Sequence, residues 1–257
     1  MDELTRRRLL VSGAAVAGGS LLAGCDQLSR SPSFMRVLGA AEKATQTSQR
    51  LILKPQPLAR EFQPGDISKV FKANGTVQPD TDAYKLMEDT AFADWRLRVD
   101  GLVVQPLSLS LDELKLLPQR TQITRHDCVE GWSAIGQWTG VPLSLILRAA
   151  GAKPGARYAV FHCADNLGRS QDDSGLYYES LDLFDCLHPQ TILAHTMNGE
   201  PLDVAHGAPL RLRVERQLGY KNAKYLMRIE LVDHYSRFGG GKGGFWEDRG
   251  YEWYAGI

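Results

Sequence analysis

The sequence lacks several features that would place it in a large functional class. Its 30 Lys and Arg residues balance 30 Asp and Glu residues, so the formal net charge is zero. This balance gives no global field that would attract nucleic acid or an acidic partner. Long apolar runs are also missing, and the mildly apolar stretch at 11–22 is too short for an ordinary membrane-spanning helix. The 257 residues, 43% of them hydrophobic, are enough for a sizeable core in one or two domains.

Cysteine is scarce, and its spacing excludes several cofactors. The four cysteines stand at positions 25, 128, 163 and 186, without a C-x-x-C pair, a C-x-x-C-H haem motif or zinc-finger spacing. A formal G-x-G-x-x-G match occurs at 239–244, but no strand precedes it and no acidic residue follows about twenty positions on. We therefore expect no haem, iron–sulfur cluster or dinucleotide site in this chain.

The N-terminus has the features of an export signal. Three arginines at 6–8 precede the short apolar stretch, an arrangement typical of a Tat-type signal for exporting a folded protein. Leu-Ala-Gly-Cys at 22–25 resembles a lipobox, in which Cys25 is lipidated. We predict that 1–24 is a cleaved Tat-type lipoprotein signal, read by the Tat export machinery. Cys25 then anchors the chain to the periplasmic side of the inner membrane. The alternative is an amphipathic start with an incidental cysteine.

The rest of the chain divides into three parts. Residues 25–50 are polar and small, which predicts a tether with a loose helix over 34–44. Residues 51–235 carry the patterned segments, and 236–257 are predicted to form a flexible Gly-rich loop over a site mouth, then an aromatic segment docked on the body. Periodicity predicts strands over 95–100, 121–125, 157–163, 176–180, 191–197, 210–214 and 226–232, and helices over 111–117 and 143–150. Because short strands and helices do not alternate strictly, the predicted fold class is α+β.

Two segments carry the residues that suggest chemistry. Cys128 follows a predicted strand and precedes a short, Gly-broken aromatic run. Its thiolate could be a nucleophile, a redox thiol or a ligand to a soft transition metal, and the plain alternative is a buried thiol. The second segment, at 206–224, supplies polar and cationic groups of the kind that an anionic cofactor needs. Within it, Lys221 is expected to be only a solvated charge.

Together these segments resemble the sulfite oxidase superfamily of molybdopterin enzymes. The pattern Cys-Val-Glu-Gly-Trp-Ser at 128–133, followed by Trp-Thr-Gly at 138–140, is most similar to the catalytic subunits of periplasmic methionine-sulfoxide reductases. The similarity runs from Trp95 to His234. It implies a single molybdopterin-binding domain of mixed sheets and short helices, with a molybdenum-molybdopterin cofactor. Few residues follow His234, so neither the C-terminal β-sandwich dimerisation domain of animal and plant sulfite oxidases nor a dimer is expected.

The resemblance also implies roles for particular residues. Cys128 is the expected molybdenum ligand, since a soft thiolate suits a soft oxo-metal. A sulfite dianion at the metal would be bound by Arg125, whereas a neutral sulfoxide would pack on an aromatic wall that includes Trp132, with Trp138 and Tyr177. Cys163 stands where the reductases have threonine, and it is either a cofactor contact or a core residue. The residues that the resemblance places at the pterin and its phosphate are Asn74, Cys163, His206, Arg211, Asn222, Ala223 and Lys224.

These observations favour a periplasmic oxidoreductase that transfers oxygen at a Cys-ligated molybdenum to or from a small sulfur oxo compound such as a sulfoxide. A sulfite dehydrogenase that passes electrons to a cytochrome is the first alternative. A non-catalytic lipoprotein that binds an anion and a thiol hydrolase are alternatives from other classes. Because the sequence has no motif for storing electrons, an enzyme of this kind needs a membrane or periplasmic cytochrome as its electron partner.

Overall fold

The computed structural model describes residues 31–52, 57–168 and 175–257. The predicted signal at 1–24 and Cys25 lie outside these ranges. Contacts divide the chain into two units, 1–55 and 56–257. No helix in the described ranges is long and apolar enough to cross a membrane.

The described part of the first unit is one exposed helix, α1 (Pro32–Ile52). It is longer than the loose helix expected over 34–44 within the tether. Its Leu, Ala, Glu, Lys, Gln and Arg residues all have high helix propensity, so a polar, solvated stretch still forms a regular helix. The polar composition that suggested a tether is equally that of an exposed helix, and the tether itself stays a prediction.

The second unit contains two five-stranded sheets with short helices between the strands. The helices are α2 (Asp82–Asp89), α3 (Leu111–Leu116), α4 (Leu143–Ala150) and α5 (Leu183–Cys186). The strands are β1 (Arg96–Gly101), β2 (Leu107–Ser110), β3 (Arg120–Asp127), β4 (Ser133–Pro142), β5 (Tyr158–Asn166), β6 (Leu176–Asp182), β7 (Ile192–Met197), β8 (Glu200–Pro201), β9 (Arg211–Arg213) and β10 (Leu226–Val232). Single 3-10 turns occur at Pro64–Asp66, Gly219–Lys221 and Glu247–Arg249.

The strand order confirms the α+β prediction. The first sheet has the order β2-β1-β10-β5-β6, and the second has β3-β4-β7-β8 with β9 beside β7. Strands β1 and β10 run parallel, whereas the other pairs are antiparallel. Mixed sheets without alternating helices are characteristic of α+β domains. The result is a domain in which β5, β6, β9 and the turn that follows β3 contribute residues to one pocket.

Side-chain alternation explains the core of the first sheet. In β1, Leu97 and Val99 are fully buried while the arginines beside them are exposed, as expected for a strand with one face on the core. Ile229 of the neighbouring β10 and Ile146 of α4 belong to the same apolar cluster. This alternation is what the sequence pattern over 95–100 predicted.

Strand β4 was missed because glycines interrupt its sequence. It pairs with β3 along the whole length of that strand and with β7 on its other side. Glycine normally weakens a strand, but Gly140 has a specific packing reason. A Cβ at this position would lie 2.0 Å from the carbonyl oxygen of Leu193 on β7. Close approach of two backbones therefore requires glycine in the middle of this sheet.

The C-terminal tail is packed against the body and does not form the loose loop predicted from its glycines. Phe245 is buried, and the Ser180 hydroxyl donates a hydrogen bond to the Gly243 carbonyl. Trp253 stacks on Tyr235 with ring centroids 5.5 Å apart. The aromatic part of the tail therefore docks on the body as its composition predicted.

A buried ion cluster holds the tail in place and corrects the expectation for Lys221. Its ammonium donates to Glu179 Oε1 at 2.5 Å and to Glu247 Oε1 at 2.6 Å, and the three side chains are 0%, 0% and 1% exposed. The second oxygen of each glutamate has no partner in the described structure. Burial, and then the neighbouring Glu247, raise the pKa of Glu179 well above its ordinary value. The lysine is therefore a structural charge, because its ammonium bridges two carboxyl groups that water cannot reach and balances one negative charge between them.

Replacing Lys221 is predicted to destabilise this domain strongly. Lys221→Met leaves the two buried carboxylates without their counter-charge, a change that costs about 3–5 kcal/mol in comparable buried pairs. The free energy of unfolding, measured in urea, should fall by about that amount. Lys115→Met removes a solvent-exposed charge paired with Asp112 and is the matched control. It should change stability little, and equal losses in the two variants would contradict the structural role.

Candidate active site

One pocket brings together residues that are far apart in the sequence. Its empty volume, including the open mouth, is about 710 Å³. Five of the predicted site residues line it: Asn74, Cys128, Arg211, Asn222 and Lys224. Further lining comes from the end of β5, the turn at Gly219–Lys221 and the C-terminal tail. The predicted thiol and the predicted cations therefore share one cavity.

Cys128 begins a tight turn directly after β3. Its N–H donates a hydrogen bond to the Trp132 carbonyl at 2.9 Å. The Gly131 N–H donates to the Cys128 carbonyl at 3.0 Å and closes the turn. The thiol is 6% exposed, and the Asn74 amide nitrogen lies 3.7 Å from Sγ. Burial raises the pKa of this thiol, while the Glu130 N–H and the Asn74 amide lower it. The sulfur is therefore a thiol near neutral pH, with two donors beside it that favour the thiolate once a metal displaces the proton.

Arg211 is a buried cation with unused donors. Its Nη1 donates to the His206 carbonyl at 2.8 Å, and Nη2 donates to the Asn222 carbonyl at 3.4 Å. The Nε atom is buried and has no partner in the described structure. Burial, and then Arg213, lower the pKa of Arg211 to about 9, so it is charged at neutral pH. A buried guanidinium with an unsatisfied N–H is suited to an anionic ligand.

Lys224 has no donor left for a ligand. Its ammonium donates to the carbonyls of Asn74 at 2.8 Å, of Ala205 at 2.9 Å and of Thr76. An ammonium has only three N–H groups, so these bonds occupy all of them. Burial, and then Arg211, lower the pKa of Lys224 to about 7. In this geometry the lysine positions the loop that carries Asn74, and a bond to a cofactor phosphate would require it to release one of those carbonyls.

The backbone around Asn222 is built into the fold. The Asn222 side chain accepts from Val214 N–H at 2.9 Å and donates to the Leu218 carbonyl at 3.2 Å. Ala223 is buried outside the pocket, and its carbonyl accepts from Leu212 N–H at 2.8 Å. These bonds hold the wall next to Arg211, while the predicted cofactor contact of Ala223 stays a prediction.

His206 and Cys163 lie outside the pocket. The His206 ring bonds Asp203 at 2.7 Å and the Phe71 carbonyl at 3.0 Å, and it lines a neighbouring cavity. It reaches the site through its carbonyl, which accepts from Arg211. Cys163 lies in the apolar core, where burial raises the pKa of its thiol well above the ordinary value. The described geometry shows no pocket contact for either side chain.

The predicted substrate residues Arg125 and Trp132 also do not line the pocket. Side chains alternate along a strand, so Arg125 projects from β3 on the face opposite His126. Its Nε donates to Asp127 at 2.9 Å on the exposed side. The indole N–H of Trp132 donates to Glu130 at 3.1 Å. Neither side chain lines the pocket, and the catalytic roles of both residues stay predictions.

The aromatic wall of the pocket differs from the predicted one. Trp138 is buried beneath Arg211 and Arg213, whose guanidinium carbons lie 4.9 and 4.4 Å from its ring centroid. The aromatic residues that line the pocket are Tyr177, Tyr220, Trp246 and Tyr251. Trp246 and Tyr251 stack with centroids 5.3 Å apart, and Tyr220 meets Tyr251 edge-on at 5.2 Å. Tyr177 was predicted, and Trp246 and Tyr251 could have been found only from the aromatic content of the tail. Tyr220 lies in the segment 206–224, which the sequence singled out for its polar and cationic groups.

The buried His126 packs against Gly219, which lines the pocket, and no role was predicted for this histidine from the sequence. Arg213 donates to His126 Nδ1 at 2.8 Å, and burial followed by Arg213 lowers the pKa of His126 well below its ordinary value. The ring is therefore neutral, with its proton on Nε2. A Cβ at Gly219 would lie 2.6 Å from that nitrogen. Glycine is required here because the pocket-lining turn passes directly over the imidazole.

A family model described as the oxidoreductase molybdopterin binding domain matches residues 84–238. The chain belongs to this family. It is 38% identical over 255 residues to the provisionally named protein-methionine-sulfoxide reductase subunit YedZ1 of Azospira oryzae. This alignment covers 99% of this chain and 89% of the relative. It is 30% identical to the protein-methionine-sulfoxide reductase catalytic subunit MsrP of Gluconobacter oxydans, over 91% and 73% of the two chains. The sulfane dehydrogenase SoxCD of Paracoccus pantotrophus aligns with 55% of this chain and 38% of its own, at 26% identity and a TM-score of 0.48.

The protein is therefore a molybdenum-dependent oxidoreductase with a molybdopterin cofactor, and the predicted family is confirmed. The residues present fit that group. The pocket offers one soft sulfur and a buried guanidinium with an unsatisfied donor, which suit a molybdenum ion and a phosphate respectively. The described residues contain no cluster of three or more His, Cys, Asp or Glu placed to hold a metal ion. Membership of this enzyme family excludes the two alternative functions, a non-catalytic anion-binding lipoprotein and a thiol hydrolase.

The burial of Lys224 predicts a pH dependence of stability. Its pKa is about 7 when the chain is folded and near 10.5 when it is unfolded, so the unfolded chain binds more protons between those values. Stability due to this residue must therefore rise with pH across that window, by up to about 1.4 kcal/mol per pH unit. The free energy of unfolding of the cofactor-free protein can be measured in urea at several pH values. From pH 7 upwards, the value for wild type should increase relative to that for Lys224→Met. Lys153→Met changes an exposed lysine and is the control. Its free energy of unfolding should have the same pH dependence as that of wild type. A constant difference between wild type and Lys224→Met would contradict the prediction.

Proposed function

We propose that this oxidoreductase reduces sulfoxides, with methionine sulfoxide as the substrate class. The observation that carries the proposal is the aromatic wall beside Cys128, together with the position of Arg125 outside the pocket. A neutral sulfoxide with apolar substituents suits such a wall, whereas a sulfite dianion needs a cation at the reacting atom. The names of the relatives that are 38% and 30% identical support the same substrate class.

Cys128 is the proposed molybdenum ligand. It is the pocket's only sulfur among the lining residues, and the Asn74 amide and the Glu130 N–H are placed to stabilise its thiolate. Thiolates are preferred ligands of soft metals, and coordination itself removes the thiol proton. The predicted ligand and its supporting amide come from segments 54 residues apart, so the fold brings them together.

The protein's contribution to the reaction is positioning and exclusion of water. When bound, the cofactor supplies oxygen-atom transfer and a two-electron exchange. Reduction of a sulfoxide then consumes two electrons and two protons, and gives a thioether and one water. The rings of Tyr220, Trp246 and Tyr251 are placed to hold the substituents of the sulfur and to limit water at the mouth. Lys224 keeps the Asn74 loop beside the sulfur of Cys128.

The electrons come from a separate redox protein in this proposal. The sequence has no haem, flavin or iron–sulfur motif, so a membrane or periplasmic cytochrome is the proposed donor. Export by the Tat machinery and a lipid on Cys25 would hold the enzyme beside such a donor on the periplasmic side of the inner membrane. Support for this location comes from the sequence of residues 1–26.

Loss of the Cys128 sulfur is predicted to abolish turnover without unfolding the protein. Because removal of outer-shell partners alone lowers metal affinity or activity by 10–100-fold, Cys128→Ala should lose more than about 100-fold. Circular dichroism should show an unchanged fold. Cys186→Ala is the matched control, since that thiol is buried in α5 and does not line the pocket. Near-normal turnover by Cys128→Ala would contradict the ligand role.

The substrate is tested with two assays on the molybdenum-loaded enzyme. A peptide containing methionine sulfoxide is offered with a reduced dye as electron donor, and sulfite is offered with a cytochrome as electron acceptor. We expect reduction of the sulfoxide, and sulfite oxidation no faster than with Cys128→Ala. Rapid sulfite oxidation without sulfoxide reduction would establish the sulfite dehydrogenase alternative in place of this proposal.

A further inference from the structure

Helix α1 carries apolar side chains along one side, here called its apolar face. Because an α-helix has about 3.6 residues per turn, Phe34, Val37, Leu38 and Ala41 fall within about 100° of one another around the helix axis. Val37 is 63% exposed and Leu38 is 41% exposed. Exposed apolar residues that form a continuous patch mark a surface that binds a membrane or another protein.

The later part of this face contains small hydroxyl residues whose donors are already satisfied. Thr45 and Ser48 lie on the same side of the helix. The Thr45 hydroxyl donates to the Ala41 carbonyl at 3.0 Å, and the Ser48 hydroxyl donates to the Ala44 carbonyl at 2.7 Å. Neither hydroxyl donor therefore depends on water, and both residues can enter an apolar medium at low cost. A coiled coil with a second copy is disfavoured, since its seam needs large apolar residues at these positions.

The opposite side of α1 is cationic. Arg36, Lys43 and Arg50 follow one another at intervals of seven residues, which places them on the side of the helix away from Phe34. Glu42 is the only acidic residue in the helix. An apolar face combined with a cation-rich polar face is typical of helices that lie in the interface of an anionic membrane.

The position of α1 in the chain favours a lipid surface over a protein partner. The helix starts seven residues after Cys25, the predicted site of the lipid, and that length of chain spans at most about 25 Å. A lipid on Cys25 would therefore keep the start of α1 within reach of the bilayer surface. The helix itself is not long and apolar enough to cross a membrane.

We propose that α1 is an interfacial helix that lies along the surface of an anionic phospholipid bilayer. Its apolar face enters the boundary between headgroups and acyl chains, and the side that carries Arg36 and Lys43 faces the headgroups and water. The segment predicted as a loose tether then provides a second attachment to the membrane beside the lipid. This inference is independent of the proposed sulfoxide substrate and shares with the proposed function only the membrane location.

The experiment places a fluorescent label on each side of the helix in the full-length enzyme. Leu38→Cys carries the label on the apolar face, and Thr47→Cys is the matched control, because positions nine residues apart lie on opposite sides of a helix. Both variants are produced in a molybdopterin-competent host, labelled with an environment-sensitive maleimide and mixed with excess vesicles of phosphatidylcholine and phosphatidylglycerol. Wild type treated in the same way gives the background from the native cysteines. Equal pterin content in all three proteins shows that the catalytic domain is intact.

The readout is quenching by lipids that carry bromine on their acyl chains. An interfacial helix buries its apolar face about 5–10 Å below the headgroups, so we expect the label at position 38 to be quenched at least about 2-fold more than the label at position 47. Equal quenching of both labels, or none, would overturn the proposal. An apolar emission spectrum at position 38 that is the same with and without vesicles would also overturn it, because the face would then contact protein. Sulfoxide turnover is assayed separately, and its absence from wild type would count only against the proposed substrate.

Discussion

The ammonium of Lys224 is the contact on which the geometry of this site depends. Three carbonyls, from Asn74, Thr76 and Ala205, converge on one buried nitrogen, so two loops far apart in the sequence are held to the segment that follows the Gly219–Lys221 turn. Only an ammonium offers three donors on one atom. Without it the Asn74 loop would lose its buried charged contact, and the exposed ion pair of Lys72 with Glu130 would remain between that loop and the Cys128 turn.

Several buried charged residues surround this pocket, and two groups of them contain their own ion pairs. Arg213 donates to both carboxylate oxygens of Glu215, at 3.0 and 2.6 Å, and to a neutral His126. Lys221 is shared by two glutamates and holds the tail. Such groups contribute little net stability, because desolvation offsets most of the attraction, but they are costly to break. Arg211 differs from them, because its buried Nε has no partner in the described structure.

Most strands could be predicted from the sequence, since alternation along a half-buried strand is a local property. The segment Leu226–Val232 was predicted with its observed bounds, and α4 ends as expected at Gly151, whose φ of 67° suits glycine. Strand β4 could not be predicted, because its Gly140 is required by the carbonyl of Leu193, on a strand more than fifty residues later. Lys221 was misjudged for a similar reason, as nothing in its own sequence neighbourhood reveals Glu179 or Glu247.

The sequence by itself determined the family and singled out Cys128 and Arg211, which line the pocket, because residue types carry their bonding properties wherever they lie. Only the tertiary structure decided how those properties are used. Arg125 lies outside the pocket and donates to Asp127, the three carbonyls occupy Lys224, and the docked tail supplies Trp246 and Tyr251 to the aromatic wall. Whether a charge is free for a ligand depends on its neighbours in space, and those neighbours come from segments that only folding brings together.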